Sequence, residues 1–274
     1  MYDTFYLPRF GRLMKKTLLE RPMQLFGFTG AVLLIIFLYY AIFHMPPGQW
    51  IERQKDAFLF GLTGGGTILA SFIFGYFSTN AQGSSYLTLP ASHFEKWLCA
   101  VLITGVLYPA AFLGFFRIMD ASFVGWFHLH LDKTLSNYKQ LYDTVQVFPF
   151  DHPTANTAVT YFLIYAGAML IGSLYFNKVS FIKVVLIIGG VFLAIYFINL
   201  LIAKLLIGHV QNAFPFDSVD ILVLQASASG PVHGIPRQLD LPVKDSKILD
   251  IISKYFLSAA LWIIAYVRLR EKEF

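Results

Sequence analysis

The chain has 274 residues, of which 57% are hydrophobic, 17% aromatic and only 14% charged, and its formal net charge is +5. Soluble domains carry about 25% charged residues, so this composition excludes a water-soluble globule and, being the opposite of a disorder-prone one, intrinsic disorder too. The single cysteine, Cys99, excludes an internal disulfide and a thiolate metal cage. The basic residues lie dispersed between apolar runs, which gives no dense tract for nucleic acid.

In chain order, the first element is an amphipathic helix over residues 6–19. Tyr6, Phe10, Leu13, Met14 and Leu18 share one arc, and Arg9, Arg12, Lys15 and Lys16 lie opposite. Such a helix rests in the headgroup plane, its basic face toward anionic lipid or an acidic partner. Crossing the hydrocarbon core takes roughly 20 mainly apolar residues, and six segments approach that length: 24–43, 57–77, 98–116, 158–176, 184–203 and 251–267. The last is the weakest, because Lys254 sits near its start, where it can snorkel to the headgroups. The long basic leader and the absence of a small-residue cleavage site make the first span a signal anchor rather than a cleaved signal peptide.

Lysine and arginine in the short loops set the orientation. With the N-terminus cytoplasmic, the inner segments are roughly threefold richer in these residues than the outer ones. The expected fold class is therefore all-α integral membrane, with six transmembrane helices and both termini cytoplasmic. It is a single domain over 1–274, with a cytoplasmic amphipathic segment at 1–23, a cytoplasmic loop at 78–97, and long outer loops at 119–157 and 204–249. The first outer loop is expected to hold an amphipathic helix, and the second a strand at Val219-Asp-Ile-Leu-Val-Leu224 followed by a turn-rich stretch. The tetrapeptide Phe148-Pro-Phe-Asp151 recurs as Phe214-Pro-Phe-Asp217, one copy in each loop. Interfacial enrichment of aromatic and proline residues accounts for that echo, and four residues are too few to establish duplication.

The loop between the second and third spans carries the most information. Gly83, Ser84 and Ser85 interrupt the preceding span, Pro90 suits a first helical turn, and Ser92-x-x-Glu95 has the pattern of a capping box. A short helix is expected to begin near Pro90–Ser92 and to turn into the third span at Trp97.

The stretch Tyr86-Leu-Thr-Leu-Pro-Ala-Ser-His-Phe-Glu-Lys-Trp97 resembles the cytoplasmic coupling segment of ABC exporter permeases of the second type. Leu89, Pro90, Ala91, Ser92 and Lys96 match its pattern position by position, whereas His93 stands where many members carry Arg or another long polar residue. The basic N-terminal helix and the charged tail 266–274 resemble those of the same family. The resemblance implies a permease half that pairs with an identical or related second permease subunit. It also implies two ATP-binding-cassette ATPase subunits docked on the coupling segments. Leu89, Pro90, Ala91, Ser92, Glu95 and Lys96 would make the ATPase contact, and ATP and Mg would be bound by that partner, in the cytoplasmic (inner) membrane.

No phosphate-binding loop occurs in the chain itself, so it is not expected to be an enzyme. The run Gly61-Leu-Thr-Gly-Gly-Gly66 lacks the lysine and reads as a close-packing surface. His128-x-His130 has no third ligand nearby in sequence, and no metal or cofactor is assigned to the chain. His44 and His209 would have to serve a haem reading, which predicts a Soret band. Arg117 and Asp120, three residues apart, are a candidate outer gate pair or a structural ion pair. Spans without buried charge suit hydrophobic or amphiphilic cargo. The alternative reading is a membrane anchor or assembly module that does not transport and holds a partner through its outer loops.

Overall fold

The computed structural model describes residues 5–42, 46–176, 180–207, 210–213, 218–225, 233–240 and 251–272. It is largely helical and divides into two compact units, Met1–Phe181 with Ser258–Phe274, and Ile182–Leu257. Among the described residues, five helical stretches are long and apolar enough to cross a bilayer: Met23–Ile42, Pro47–Ile73, His93–His130, Pro153–Tyr175 and Ser180–Leu206. The chain is a multi-pass helical membrane protein.

In the first unit, helix α1 (Leu7–Glu20) carries proline in its first turn and buries Phe10, Leu13 and Thr17, spaced i, i+3 and i+7 along one face. The first span joins a π-turn at Met23–Gly27 to α2 (Phe28–Ile42). It is apolar on all sides, and within α2 only Ile36 and Tyr40 are buried. The second span combines a 3-10 turn, α3 (Trp50–Leu59), a π-turn at Phe60–Gly65 and α4 (Gly66–Ile73). It is 61% buried against 17% for the first span, which makes it the centre of this unit.

Glycine explains how the second span can be central. A Cβ on Gly61 would overlap the Phe112 ring, one on Gly65 the Tyr108 hydroxyl, and one on Gly66 the Phe162 ring. The Tyr108 hydroxyl donates to the Gly61 carbonyl, a backbone group available because π geometry loosens the helical ladder there. The glycine run is thus a packing surface, as its place inside an apolar segment suggests.

After a 3-10 turn at Gly75–Ser78 comes α5 (Asn80–Leu87). The third span is one continuous helical stretch of 38 residues built from α6 (His93–Leu102), a π-turn at Ile103–Leu107 and α7 (Tyr108–His130). At 1.5 Å per residue it is about 57 Å long, nearly twice the hydrocarbon core. The apolar run 98–116 is only its middle. Of the expected outer loop 119–157, residues 119–130 therefore belong to α7, and the short helix α8 (Tyr138–Thr144) lies between α7 and the fourth span. That span, α9 (Pro153–Tyr175), starts on proline with His152 as its cap.

The second unit contains nearly all of α10 (Ser180–Ile207) and a three-stranded antiparallel sheet in the order β1 (Val210–Ala213), β2 (Ser218–Gln225), β3 (His233–Asp240). The strand expected at 219–224 lies inside β2. The stretch 226–242, expected to be turn-rich, is a strand over 233–240; the rest of it, the second tetrapeptide at 214–217, His44 and His209 lie outside the described residues. A π-turn at Ile252–Leu257 leads into α11 (Ser258–Arg270), which returns to the first unit. There the Trp262 indole donates to the Leu163 carbonyl at 2.8 Å, and the Trp97 indole donates to the Trp262 carbonyl at 2.9 Å. The expected sixth span, 251–267, is helical, but it is not among the five stretches that meet the length and apolarity of a crossing.

Candidate functional site

The loop between the second and third spans is built from short-range hydrogen bonds. Helix α5 ends where the Thr88 amide meets the Ser84 carbonyl at 2.9 Å. The Ala91 amide then donates to the Leu89 carbonyl at 2.7 Å, a γ-turn centred on Pro90, whose ring fixes the backbone angle such a turn uses. Ser92 caps α6 with a complete capping box, its hydroxyl accepting the Glu95 amide at 3.1 Å while Glu95 Oε2 accepts the Ser92 amide at 2.9 Å. The helix expected to begin near Pro90–Ser92 does start there, capped by Ser92, but instead of turning at Trp97 it continues as the third span. The short helix lies before the turn, and the capped one is already the first turn of the third span.

Glu95 is wholly buried and does more than cap. Its Oε1 accepts the Tyr6 amide at 2.8 Å and Arg9 Nη2 at 2.7 Å, and its Oε2 accepts Arg9 Nε at 2.8 Å. One carboxylate therefore binds the start of α1 to the start of the third span with charge-assisted bonds of fork geometry. Lys96, also wholly buried, donates to the Leu87 carbonyl at 2.9 Å, with its ammonium 5.6 Å from the Tyr86 ring. Of the residues proposed from sequence to meet a partner, Pro90 is exposed and Leu89 partly so, while Ala91, Ser92, Glu95 and Lys96 are buried. Their side chains hold the turn rather than present it.

Behind the turn, the Tyr76 and Tyr86 rings stack at 4.6 Å, and the Arg21 guanidinium lies 3.9 Å from the centre of the Tyr76 ring. Arg21 also reaches Gln82 at 3.3 Å, and the Tyr76 hydroxyl donates to Glu20 at 3.3 Å. Burial pushes the Tyr76 hydroxyl up to about 12, with the Glu20 carboxylate adding to the shift, and burial also holds Tyr86 well above the ordinary tyrosine range. Two clefts open between α1 and the segment 81–91. One, of about 420 Å³, is lined by Tyr6, Pro8, Arg9, Arg12, Leu13, Lys16 and Leu89 to Ala91. The other, of about 410 Å³, lies between Lys16, Glu20, Arg21, Tyr76, Tyr86 and Leu89. Arg12, Lys15 and Lys16 are exposed on α1, and Arg9 is mostly buried against Glu95.

The Arg117–Asp120 expectation needs correction. Among the described residues the two form no ion pair with each other, because both are taken up by Phe148. Arg117 Nη1 donates to the Phe148 carbonyl at 3.0 Å, and Asp120 Oδ2 accepts the Phe148 amide at 2.8 Å. Asp120, wholly buried, also accepts from Gln54 at 2.8 Å and from the Tyr40 hydroxyl at 3.2 Å. Three donors offset the cost of burying this carboxylate, which lies within the third span, so the expectation of spans without buried charge does not hold there. Phe148 fills an aromatic cage with Phe58 at 5.2 Å and Phe116 at 6.0 Å. The histidines of the 128–130 pair diverge. His128 stacks on Tyr142 at 3.9 Å, and His130 lies against Trp126 at 4.5 Å.

Sequence reasoning missed the Tyr6 amide, Gln54 and Tyr40, whose roles depend on distant chain segments. Phe148 had a signal, its place in the repeated tetrapeptide. No family model matches the chain, and no curated protein or solved structure is similar to it.

Proposed function

We propose that the chain is the membrane-spanning permease subunit of an ATP-driven exporter, carrying hydrophobic or amphiphilic cargo and coupled to a separate ATP-binding-cassette ATPase. In this reading it is not itself an enzyme. It has six spans, the sixth being 251–267, with both termini cytoplasmic, and it pairs with a second permease subunit in the cytoplasmic membrane.

The observation that carries the reading is the Leu89-Pro90-Ala91-Ser92 turn. It presents an exposed proline and a half-exposed leucine at its apex, while Glu95 and Lys96 anchor it from below. A push on that apex is delivered to α1 through Arg9 and to the third span through the capping box, which is what coupling a soluble motor to a membrane helix demands. The clean test alters only the apex, Leu89→Ser with Pro90→Ala, and leaves Glu95 native because it holds α1.

The tagged wild type, purified from its native membrane in mild detergent, is expected to bring down a soluble ATPase that the apex variant loses. An apex variant that still retains the ATPase and transports normally would sink the assignment. Recovery of an outer-face protein without any ATPase would favour the anchor reading.

A further inference from the structure

The larger of the two clefts has a chemistry of its own. Arg9, Arg12 and Lys16 occupy positions i, i+3 and i+7 of α1 and so share one face, which borders the cleft, whereas Lys15 lies off that face. Arg9 is spent on Glu95. Arg12 and Lys16 have no hydrogen bond or ion pair to any described residue, and no carboxylate lines the cleft among the described residues, Glu95 being buried and paired with Arg9. The opposite wall is apolar, formed by Leu89, Pro90 and Ala91, with Leu13 at the helix side.

The spans that continue from each wall fix the depth of the cleft. The first span begins at Met23, three residues beyond α1, and the third begins at His93, two residues beyond Ala91. Phe94, Trp97 and Tyr266 cluster at the same level with ring centres 5.6–6.2 Å apart, the aromatic belt expected at a headgroup boundary.

We propose that this cleft is a binding site for one anionic phospholipid. Its phosphate is held between Arg12 and Lys16, and its glycerol and first acyl carbons lie against Leu13, Leu89 and Pro90. Two cations beside an apolar wall fit an amphiphile better than a bare anion, which would leave that wall wet, or an acidic peptide, whose charges would outnumber the cations. The site does not depend on the exporter reading. It would belong equally to an anchor.

The test uses the full chain in mild detergent, titrated with dioctanoyl phosphatidylglycerol, dioctanoyl phosphatidylcholine, glycerol phosphate and an oligoglutamate peptide, with bound ligand counted by native mass spectrometry. One phosphatidylglycerol per chain is expected, with phosphatidylcholine far weaker. R12Q/K16Q should weaken phosphatidylglycerol about thirtyfold, the effect of losing two cations near a lipid phosphate. K15Q, which removes the same charge from the same helix outside the cleft, should leave binding unchanged, and R12K/K16R should retain it, separating lost recognition from lost folding. Equal losses in K15Q would mean diffuse surface attraction and overturn the site. So would wild-type affinity in R12Q/K16Q, glycerol phosphate binding as tightly as the lipid, or tighter binding of the peptide.

Discussion

Arg117 and Asp120, one turn apart on α7, hold Phe148 from opposite sides, the arginine by its carbonyl and the aspartate by its amide. A pair that sequence spacing reads as a local ion pair is thus a clasp, and what it fastens is the segment leading into the fourth span.

Because both side chains act on one residue, their removal should not be additive. Arg117→Ala and Asp120→Asn are each expected to destabilise the protein by about 1–3 kcal/mol. The asparagine change costs because its amide turns a donor toward the Phe148 or Tyr40 donor. The double variant should fall short of the sum by at least about 0.5 kcal/mol, as coupled neighbours do. Thermal unfolding in detergent of all four proteins checks this, and strict additivity would contradict the clasp.

Glu95→Ala should loosen α1 before it disturbs the spans. The change removes the cap, the Tyr6 contact and the Arg9 pair together, and takes the Glu95 carboxylate away from a largely buried arginine. Hydrogen bonds to charged groups contribute about 1.5–3 kcal/mol each. Faster tryptic cleavage at Arg9, Arg12 and Lys15, with the spans still protected, is the expected pattern. Unchanged cleavage would argue against the tie.

The glycine surface allows a matched comparison. Gly65→Ala should cost about 1–3 kcal/mol by overpacking against the Tyr108 hydroxyl. Gly64→Ala, one position away and facing open space, should be neutral or slightly stabilising. Combining Gly65→Ala with Tyr108→Phe should recover part of the loss, since the phenolic oxygen is the nearest of the clashing atoms and Val32 Cγ1 the next. Melting temperatures of the three variants decide it.

Alkali should act through Tyr76. Its folded hydroxyl ionises near 12, whereas the unfolded chain ionises it near the ordinary value of 10.0. Between those values the unfolded state binds fewer protons, so stability is intact below pH 10 and declines as pH rises toward 12. Tyr76→Phe should flatten this decline in denaturation curves taken across that window. An unchanged slope would place the burial of this hydroxyl in question.

Much of the local chemistry is legible in the residues. The capping box at Ser92 and Glu95 needs only four residues and forms as expected, and the glycine run announces close packing. The five long apolar segments are equally plain, because length and hydropathy are local quantities. The errors arise where tertiary contact overrides local pattern. The third span outruns its apolar middle because residues 117–130, although more polar, pack against the outer segment and stay helical. Lys96 matches a surface motif but points inward, since the Leu87 carbonyl and the Tyr86 ring receive it. The role of Glu95 in binding α1 could not be read from a pattern, because its partner Arg9 lies 86 residues away.

The continuous third span joins these regions mechanically. Glu95 and Asp120 stand on the same rod, 25 positions or about 37 Å apart along its axis. One end is lashed to α1 and the turn, the other to Phe148. Tilting such a rod swings its ends in opposite senses about a fulcrum, and the π-turn at Ile103–Leu107 lies between them. The turn at Pro90 and the clasp on Phe148 therefore sit on the two arms of one helix, and a rigid tilt of that helix would move both.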